Sequence, residues 1–279
     1  MRDRFLVRFW GVRGTIPTPG SKTIRFGGNT PCIEVRCGDR LIILDAGSGL
    51  REFGNTLIDE MPIDAILLLS HLHWDHIQGF PVFGPSFQKG NRLHLYAEKK
   101  KNDNLKDIMA GQMTYPHFPV PFSEVGIEME FTELEAGDIL KLDDVVVKTA
   151  ANNHPDGCLS YRIEYRDKVF VYSTDTEHFS YIDPNLKKQS DKADYLVYDS
   201  TYTDDEYTGN SGPSHVGWGH STWIEGVKLA RETGVKNLIL FHHDPAHDDD
   251  FIADIERQAR EVYPNCQAAY EGLTIDLLK

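Results

Sequence analysis

The sequence predicts an α/β protein whose central strands are buried on both faces. Three observations point there. Residues 65–70 read Ala-Ile-Leu-Leu-Leu-Ser, apolar without alternation, as a strand covered on both sides requires, and a polar cluster follows at once. Segments 195–199 and 237–241 repeat that pattern within two further strand–helix units. The 279 residues, 40% of them apolar, contain no linker, low-complexity stretch or charge block, so a single domain over 1–279 with an ample core is expected.

Taken in order, residues 5–10 alternate and predict a first strand, which runs into a Gly- and Pro-rich loop at 11–20. A second glycine turn falls at 26–30. Strands are predicted at 32–36 and 41–44, a helix at 49–56, and then the apolar strand at 65–70. Gly79, Pro81 and Pro85 stop any helix after residue 76. A strand at 92–97 and a polar-rich helix at 98–113 come next, followed by an aromatic, proline-rich loop at 115–122. The stretch 98–122 reads as an insert: core cover on one view, a lid or subunit contact on the other. Further strands are predicted at 127–131, 139–142, 145–149, 159–165 and 169–173, and a helix at 220–233. Asp248, Asp249 and Asp250 open the last helix, where negative charge suits the dipole. Both halves pass from meandering strands to strand–helix units, a weak sign of internal duplication.

Composition excludes several classes. No run of about eighteen apolar residues is present, so no membrane span is expected. The first five residues lack the apolar core of a signal peptide. Cys32, Cys37, Cys158 and Cys266 are scattered without C-x-x-C spacing and read as reduced, mostly buried thiols, consistent with a cytoplasmic protein. The formal net charge of −14 disfavours a long nucleic acid as partner, because such binding depends on Lys and Arg at the phosphates.

Chemistry concentrates in His71-Leu72-His73-Trp74-Asp75-His76. Imidazole and carboxylate at this density suit zinc and its neighbours in the transition series. A histidine-rich surface loop would crowd the same charges together without need. The pattern H-x-H-x-D-H after an apolar strand resembles the signature of the metallo-β-lactamase superfamily. The resemblance implies a four-layer αββα sandwich carrying a dinuclear site. The cofactors would be two divalent metal ions, zinc first, with manganese or iron as alternatives.

Three later residues are ordinary when taken singly. His154 lies in a loop before a proline, Asp175 follows an apolar strand where a helix cap is common, and His242 follows the strand ending at Phe241. By resemblance, His71, His73 and His154 hold one metal. Asp75, His76 and His242 hold the second, and Asp175 bridges. His242 is preferred to His243 because it follows its strand directly, although His243 stays open. Asp45, at the end of strand 41–44, is implied to orient ligands and water, and joins Asp75 among the catalytic residues.

Segments 195–202 and 217–222 are similar to motifs of the phosphodiesterase branch of that superfamily, which includes tRNase Z and small phosphodiester hydrolases. In that branch an acid orients a histidine that protonates the departing alkoxide. Here these would be Asp199, where tRNase Z has glutamate, and His220. At a helix start His220 would have its pKa pulled down by the dipole unless Asp199 restored it. Arg13 is placed near a substrate phosphate. The implied function is hydrolysis of small phosphodiesters, cyclic nucleotides being the leading example, by metal-hydroxide attack with His220 as general acid. Lactone or thioester hydrolysis and an RNA-processing nuclease are the alternatives, with a non-catalytic metal-stabilised module behind them. A homodimer is left open.

Overall fold

The computed structural model describes residues 3–279; Met1 and Arg2, part of the amino terminus read above, lie outside the described residues. Two seven-stranded sheets form the centre. In the first, β1 (Phe5–Gly11), β2 (Cys32–Cys37) and β3 (Arg40–Leu44) run antiparallel; β4 (Asp64–Leu68), β5 (Arg92–Glu98) and β6 (Glu128–Leu134) continue it in parallel from β3. The second sheet has β7 (Ile139–Leu142), β8 (Val145–Asn152), β9 (Cys158–Tyr165) and β10 (Lys168–Ser173) antiparallel. Parallel strands β11 (Tyr195–Asp199), β12 (Asn237–Phe241) and β13 (Cys266–Ala268) follow. β14 (Thr274–Asp276) returns to the first sheet beside β1, antiparallel. Each sheet therefore steps through three antiparallel and then three parallel pairings, the same plan twice. β3 and β10 occupy matching places.

The side chains divide into layers as the apolar runs require. Ile66 and Leu68 of β4 face the core between the sheets, with Phe5, Phe9, Tyr161, Tyr172 and Phe241. Ala65 and Leu67 of the same strand face the other way, onto Phe53 of α1 (Gly49–Thr56) and Met109 of α3 (Leu105–Gly111). β12 does the same: Ile239 and Phe241 point to the inter-sheet core, Leu238 and Leu240 to α6 (Trp223–Thr233) and α7 (Asp249–Val262). Strands buried on both faces read as unbroken apolar sequence for this reason. Helix, sheet, sheet and helix give the four-layer αββα sandwich. Among the described residues no helix is long and apolar enough to cross a membrane.

Two helix expectations need correction. The stretch 98–113 is helical only over α3: Glu98 completes β5, and the Asn104 side chain accepts the Asp107 amide at 2.9 Å, starting the helix there. Of the insert, Leu105, Met109 and Met113 cover the first sheet's outer core, while Tyr115 is exposed. The helix expected from residue 220 begins at Trp223, with Thr222 as its cap and bridged to Tyr202, so His220 lies before the helix rather than in its first turn. The dipole argument for His220 lapses with it. Three short helices were not anticipated: α2 (Trp74–Ile77), α4 (Pro184–Ser190) and α5 (Asp204–Thr208). The last carries a full capping box between Thr203 and Glu206, a signal present in its Thr-x-x-Glu sequence.

Candidate metal centre

The parallel strands of both sheets end at one rim, and the polar residues that follow them meet there. His71, His73, Asp75 and His76 come from the turn after β4 and from α2, Asp175 from the end of β10, His242 from the end of β12, and His154 from the loop after β8. Asp45, Asp175 and His242 each take a left-handed backbone, with φ of 59°, 42° and 62°. Such a conformation costs a non-glycine residue about 1–3 kcal/mol and is held only where surrounding structure over-determines it.

The two oxygens of Asp175 face two sets of ligands. Oδ1 lies 3.3 Å from His76 Nε2 and 3.4 Å from His242 Nε2. Asp75 Oδ2 stands 3.3 Å from the same two nitrogens. Oδ2 of Asp175 lies 3.6 Å from His71 Nε2 and 3.7 Å from His154 Nε2, and the latter is 3.1 Å from His73 Nδ1. His71 Nε2 and His76 Nε2 are buried without a hydrogen-bond partner. Orphaned, inward-aimed imidazole nitrogens converging on carboxylate oxygens fit divalent cations, because a cation satisfies both kinds of donor atom at once.

Outer partners fix which nitrogen each ring presents. His76 Nδ1 donates to Asp45 Oδ2 at 2.7 Å, His71 Nδ1 lies 3.1 Å from Ser70 Oγ, and His154 Nδ1 donates to the Gly219 carbonyl at 2.8 Å. His242 Nδ1 is 3.0 Å from Thr201 Oγ1. This is the usual way of orienting metal-facing histidines. Asp45, fully buried, also accepts the Ser70 amide at 2.6 Å and the Tyr172 hydroxyl at 2.6 Å, tying both sheets to one carboxylate. Backbone approaches closely at two points. A Cβ on Gly14 would lie 2.4 Å from the His242 ring, and one on Gly219, whose φ is +85°, would lie 2.4 Å from His154 Nδ1.

Electrostatics agree with the geometry. Burial, then the neighbouring His76, hold His71 well below the usual imidazole range. Burial also lowers His73 and His154. Burial alone would raise Asp175, but His242, His76 and His71 outweigh it and keep the carboxylate ionised. His76 goes the other way: burial disfavours its cation, yet Asp175, Asp75 and Asp45 raise it well above its ordinary value. The carboxylates around His76 call for a positive charge at that point.

Next to this cluster, His220 Nδ1 donates to Asp199 Oδ2 at 2.8 Å. Asp199 is fully buried and also accepts the Thr176 amide and the Thr201 hydroxyl. Burial works against the His220 cation, but the charge of Asp199 and this hydrogen bond reverse the balance and bring the imidazole up to about 9. The ring stacks on His242, centroids 4.9 Å apart. A cleft of about 780 Å³ opens over His73, Asp75, His154, Asp175 and His220, rimmed by Trp74, Tyr202 and Trp218.

Two further expectations resolve against neighbouring residues. His243 turns away, its Nε2 2.9 Å from the Ala269 carbonyl, so His242 is the member of the pair in the cluster. Arg13 is not in the cleft. It is fully buried, with Nε on the Gly27 carbonyl at 2.8 Å and Nη1 on those of Asp244 and His247 at 3.1 and 2.5 Å. A guanidinium committed to three carbonyls pins the 244–247 turn against the glycine loop, which corrects the phosphate-contact expectation. One residue escaped notice in the sequence. Glu177 accepts the Gly217 and Gly219 amides at 2.7 and 2.9 Å, bracing the loop before His220, and its only sequence cue is its place two residues after Asp175.

Residues 40–243 match the family described as beta-lactamase superfamily domain. A ribonuclease Z of Ligilactobacillus salivarius is 26% identical over 291 residues, covering 85% of this chain and 87% of that protein. A ribonuclease Z of Thermococcus kodakarensis is 25% identical over 279 residues, covering 85% and 83%. Among solved structures, the metallo-beta-lactamase fold protein YhfI of Bacillus subtilis superposes with a TM-score of 0.72 at 20% identity, over 99% of this chain and 100% of that one. That likeness is one of fold.

Proposed function

The chain belongs to the beta-lactamase superfamily, and on that premise we propose that it hydrolyses phosphodiesters, small organic ones first, cyclic nucleotides being the leading example. One observation carries the reading: the Asp199–His220 pair at 2.8 Å, beside the ligand cluster and on the cleft. An alkoxide leaving a phosphodiester is a poor leaving group, and a positioned acid accelerates its departure by roughly 10²–10⁴-fold. The ribonuclease Z name of the relatives supports a phosphorus centre.

His71, His73 and His154 would hold one cation and Asp75, His76 and His242 the second, with Asp175 shared, zinc being favoured by the preponderance of imidazole. When bound, such a pair offsets charge on the phosphoryl oxygens and makes water a nucleophile near neutral pH. Asp45 acts through His76, holding its Nδ1 proton so that Nε2 faces inward. Asp199 holds the Nδ1 proton of His220, leaving Nε2 as the atom that carries the mobile proton. The raised pKa keeps that proton on the ring at neutrality, and it passes from Nε2 to the departing oxygen.

The test is His220→Ala, assayed for metal content and for turnover of an alkyl against a para-nitrophenyl phosphodiester. Retained metal with loss confined to the alkyl ester supports the role; undiminished alkyl-ester turnover refutes it. A ribonuclease is the second reading, favoured by the ribonuclease Z relatives that align over most of their length. Cleavage of a precursor tRNA at rates above those on small diesters would make it the first.

A further inference from the structure

The cleft does not stop at Trp74. Leu72 and Trp74, the two residues of the motif that ligate nothing, line the cleft and also line a neighbouring cavity of about 450 Å³. The rest of that cavity comes from Ile77, Gln78 and Pro81, just after the motif, from Ile108 and Gly111 of α3, and from Gln112 and His117 beyond it, so the lining is mainly apolar with two amides and an imidazole. The insert that covers the first sheet therefore also helps to build a second chamber, which shares Leu72 and Trp74 with the reaction cleft.

Two properties say what the chamber suits. First, among the described residues neither cavity is lined by a lysine or arginine; the charged or titratable side chains are the site histidines, His117, His215, Tyr202 and the carboxylates of Asp75, Asp175 and Asp244. A polynucleotide gripped along its backbone needs a cation near successive phosphates. These walls offer none, while a single phosphate at the ligand cluster needs none elsewhere. Second, Trp74 is 82% exposed although it belongs to the most chemistry-dense stretch of the chain. Scattered surface apolar residues need no explanation, but an indole shared by the reaction cleft and a mainly apolar chamber presents a flat, uncharged face to whatever extends from the cleft. The chamber falls within the range of about 300–1,000 Å³ typical of small-molecule sites.

We propose that this chamber seats the organic arm of the phosphodiester, and that it takes an uncharged planar group, aryl or nucleobase in size, laid against Trp74. The inference rests on the phosphodiester reading and narrows it: the enzyme selects diesters by a flat neutral substituent rather than by additional phosphates.

The experiment uses three diesters sharing a para-nitrophenolate leaving group, with methyl, phenyl or thymidine as the other substituent, and metal-loaded protein. A Cβ on Gly111 meets nothing within 4 Å, so Gly111→Leu fills the chamber without displacing backbone. Ile108→Glu places a charge in it. Wild-type kcat/KM for the phenyl and thymidine esters should exceed that for the methyl ester by about tenfold or more, and both variants should bring the ratio near one, since an apolar pocket discriminates on that scale. A ratio within one preparation is insensitive to loss of folded enzyme. No preference in the wild type, or an unchanged ratio in both variants, overturns the chamber assignment while leaving the phosphodiester reading intact. Failure of the wild type to turn over any of the three refutes both.

Discussion

Glu177 reaches across to Gly219, accepting its amide at 2.9 Å, while its other oxygen takes the Gly217 amide and the Tyr207 hydroxyl, each at 2.7 Å. Gly219 in turn lends its carbonyl to His154 Nδ1 and directly precedes His220. One carboxylate thus sets the loop that orients both a metal-facing imidazole and the proton-bearing one. Glu177→Ala is expected to lower kcat on alkyl diesters roughly tenfold or more and to weaken metal retention, as loss of an outer partner does. Glu177→Gln keeps one acceptor and should recover part of each. Metal titration beside a leaving-group series checks this; equal loss on good and poor leaving groups with normal metal would leave only a folding role.

Asp199 and His220 should behave as a unit. Asp199→Asn removes the charge that raises His220 and leaves one acceptor oxygen where the carboxylate offered two to His220, Thr176 and Thr201. Residues acting together are non-additive. The double variant with His220→Ala is therefore expected to be no slower on an alkyl diester than His220→Ala alone, and independent losses that multiply would count against the pairing.

Chelation should destabilise the fold. His71 and His76 keep buried nitrogens without hydrogen-bond partners, and the buried carboxylates of Asp75 and Asp175 both crowd against His76 Nε2 at 3.3 Å. A ligand that binds only the native state at about 100 times its Kd contributes about 2.7 kcal/mol. Melting with and without chelator, then with zinc restored, should show a reversible drop of several degrees. Asp175→Asn should lower bound metal by elemental analysis.

Acid sensitivity should be traceable to Glu206. Burial pushes its carboxyl up, but the hydrogen bond from His247 and that from the Thr203 amide win and bring it down to about 2. A folded value below the ordinary 4.5 gives stability that is full above that pH and lost as pH falls towards 2. Glu206→Gln should cost about 1–3 kcal/mol at neutral pH. Its urea midpoint should also fall less steeply than wild type between those two values.

Arg13 should matter to stability rather than to substrate. Arg13→Met leaves the buried Gly27 and His247 carbonyls short of a donor, while that of Asp244 keeps the His247 amide, at about 1–3 kcal/mol for each group left unsatisfied. A lowered melting temperature with unchanged KM is expected; a raised KM at unchanged stability would restore the phosphate contact.

Much of the architecture could be read from residue order, because burial on both faces leaves a local mark. The runs at β4, β11 and β12 are apolar throughout since each of their faces meets a different core, and the polar residue that ends each run lies at the strand ends by connectivity alone. Hence the runs themselves mark the residues near His71, Asp199 and the pair His242 and His243 as belonging to the rim, whereas Asp175 and His242, ordinary when taken singly, took their roles from the family resemblance. Local signals failed where the outcome depends on partners far along the chain. Asp45 gains its position from Tyr172, 127 residues away, and Arg13 is drawn from the cleft by carbonyls at Asp244 and His247, more than two hundred residues on.

The choice between His242 and His243 shows the division most plainly. Adjacent histidines after a strand look alike in sequence. The left-handed φ of 62° at His242 aims that ring at Asp75 and Asp175, while a bridge to Arg13 and the Ala269 carbonyl hold its neighbour outside. Pattern and period carry burial and chain direction. Where a side chain points at a strand end is set by backbone torsion and by groups from the opposite sheet, and these exist only once the two sheets have packed.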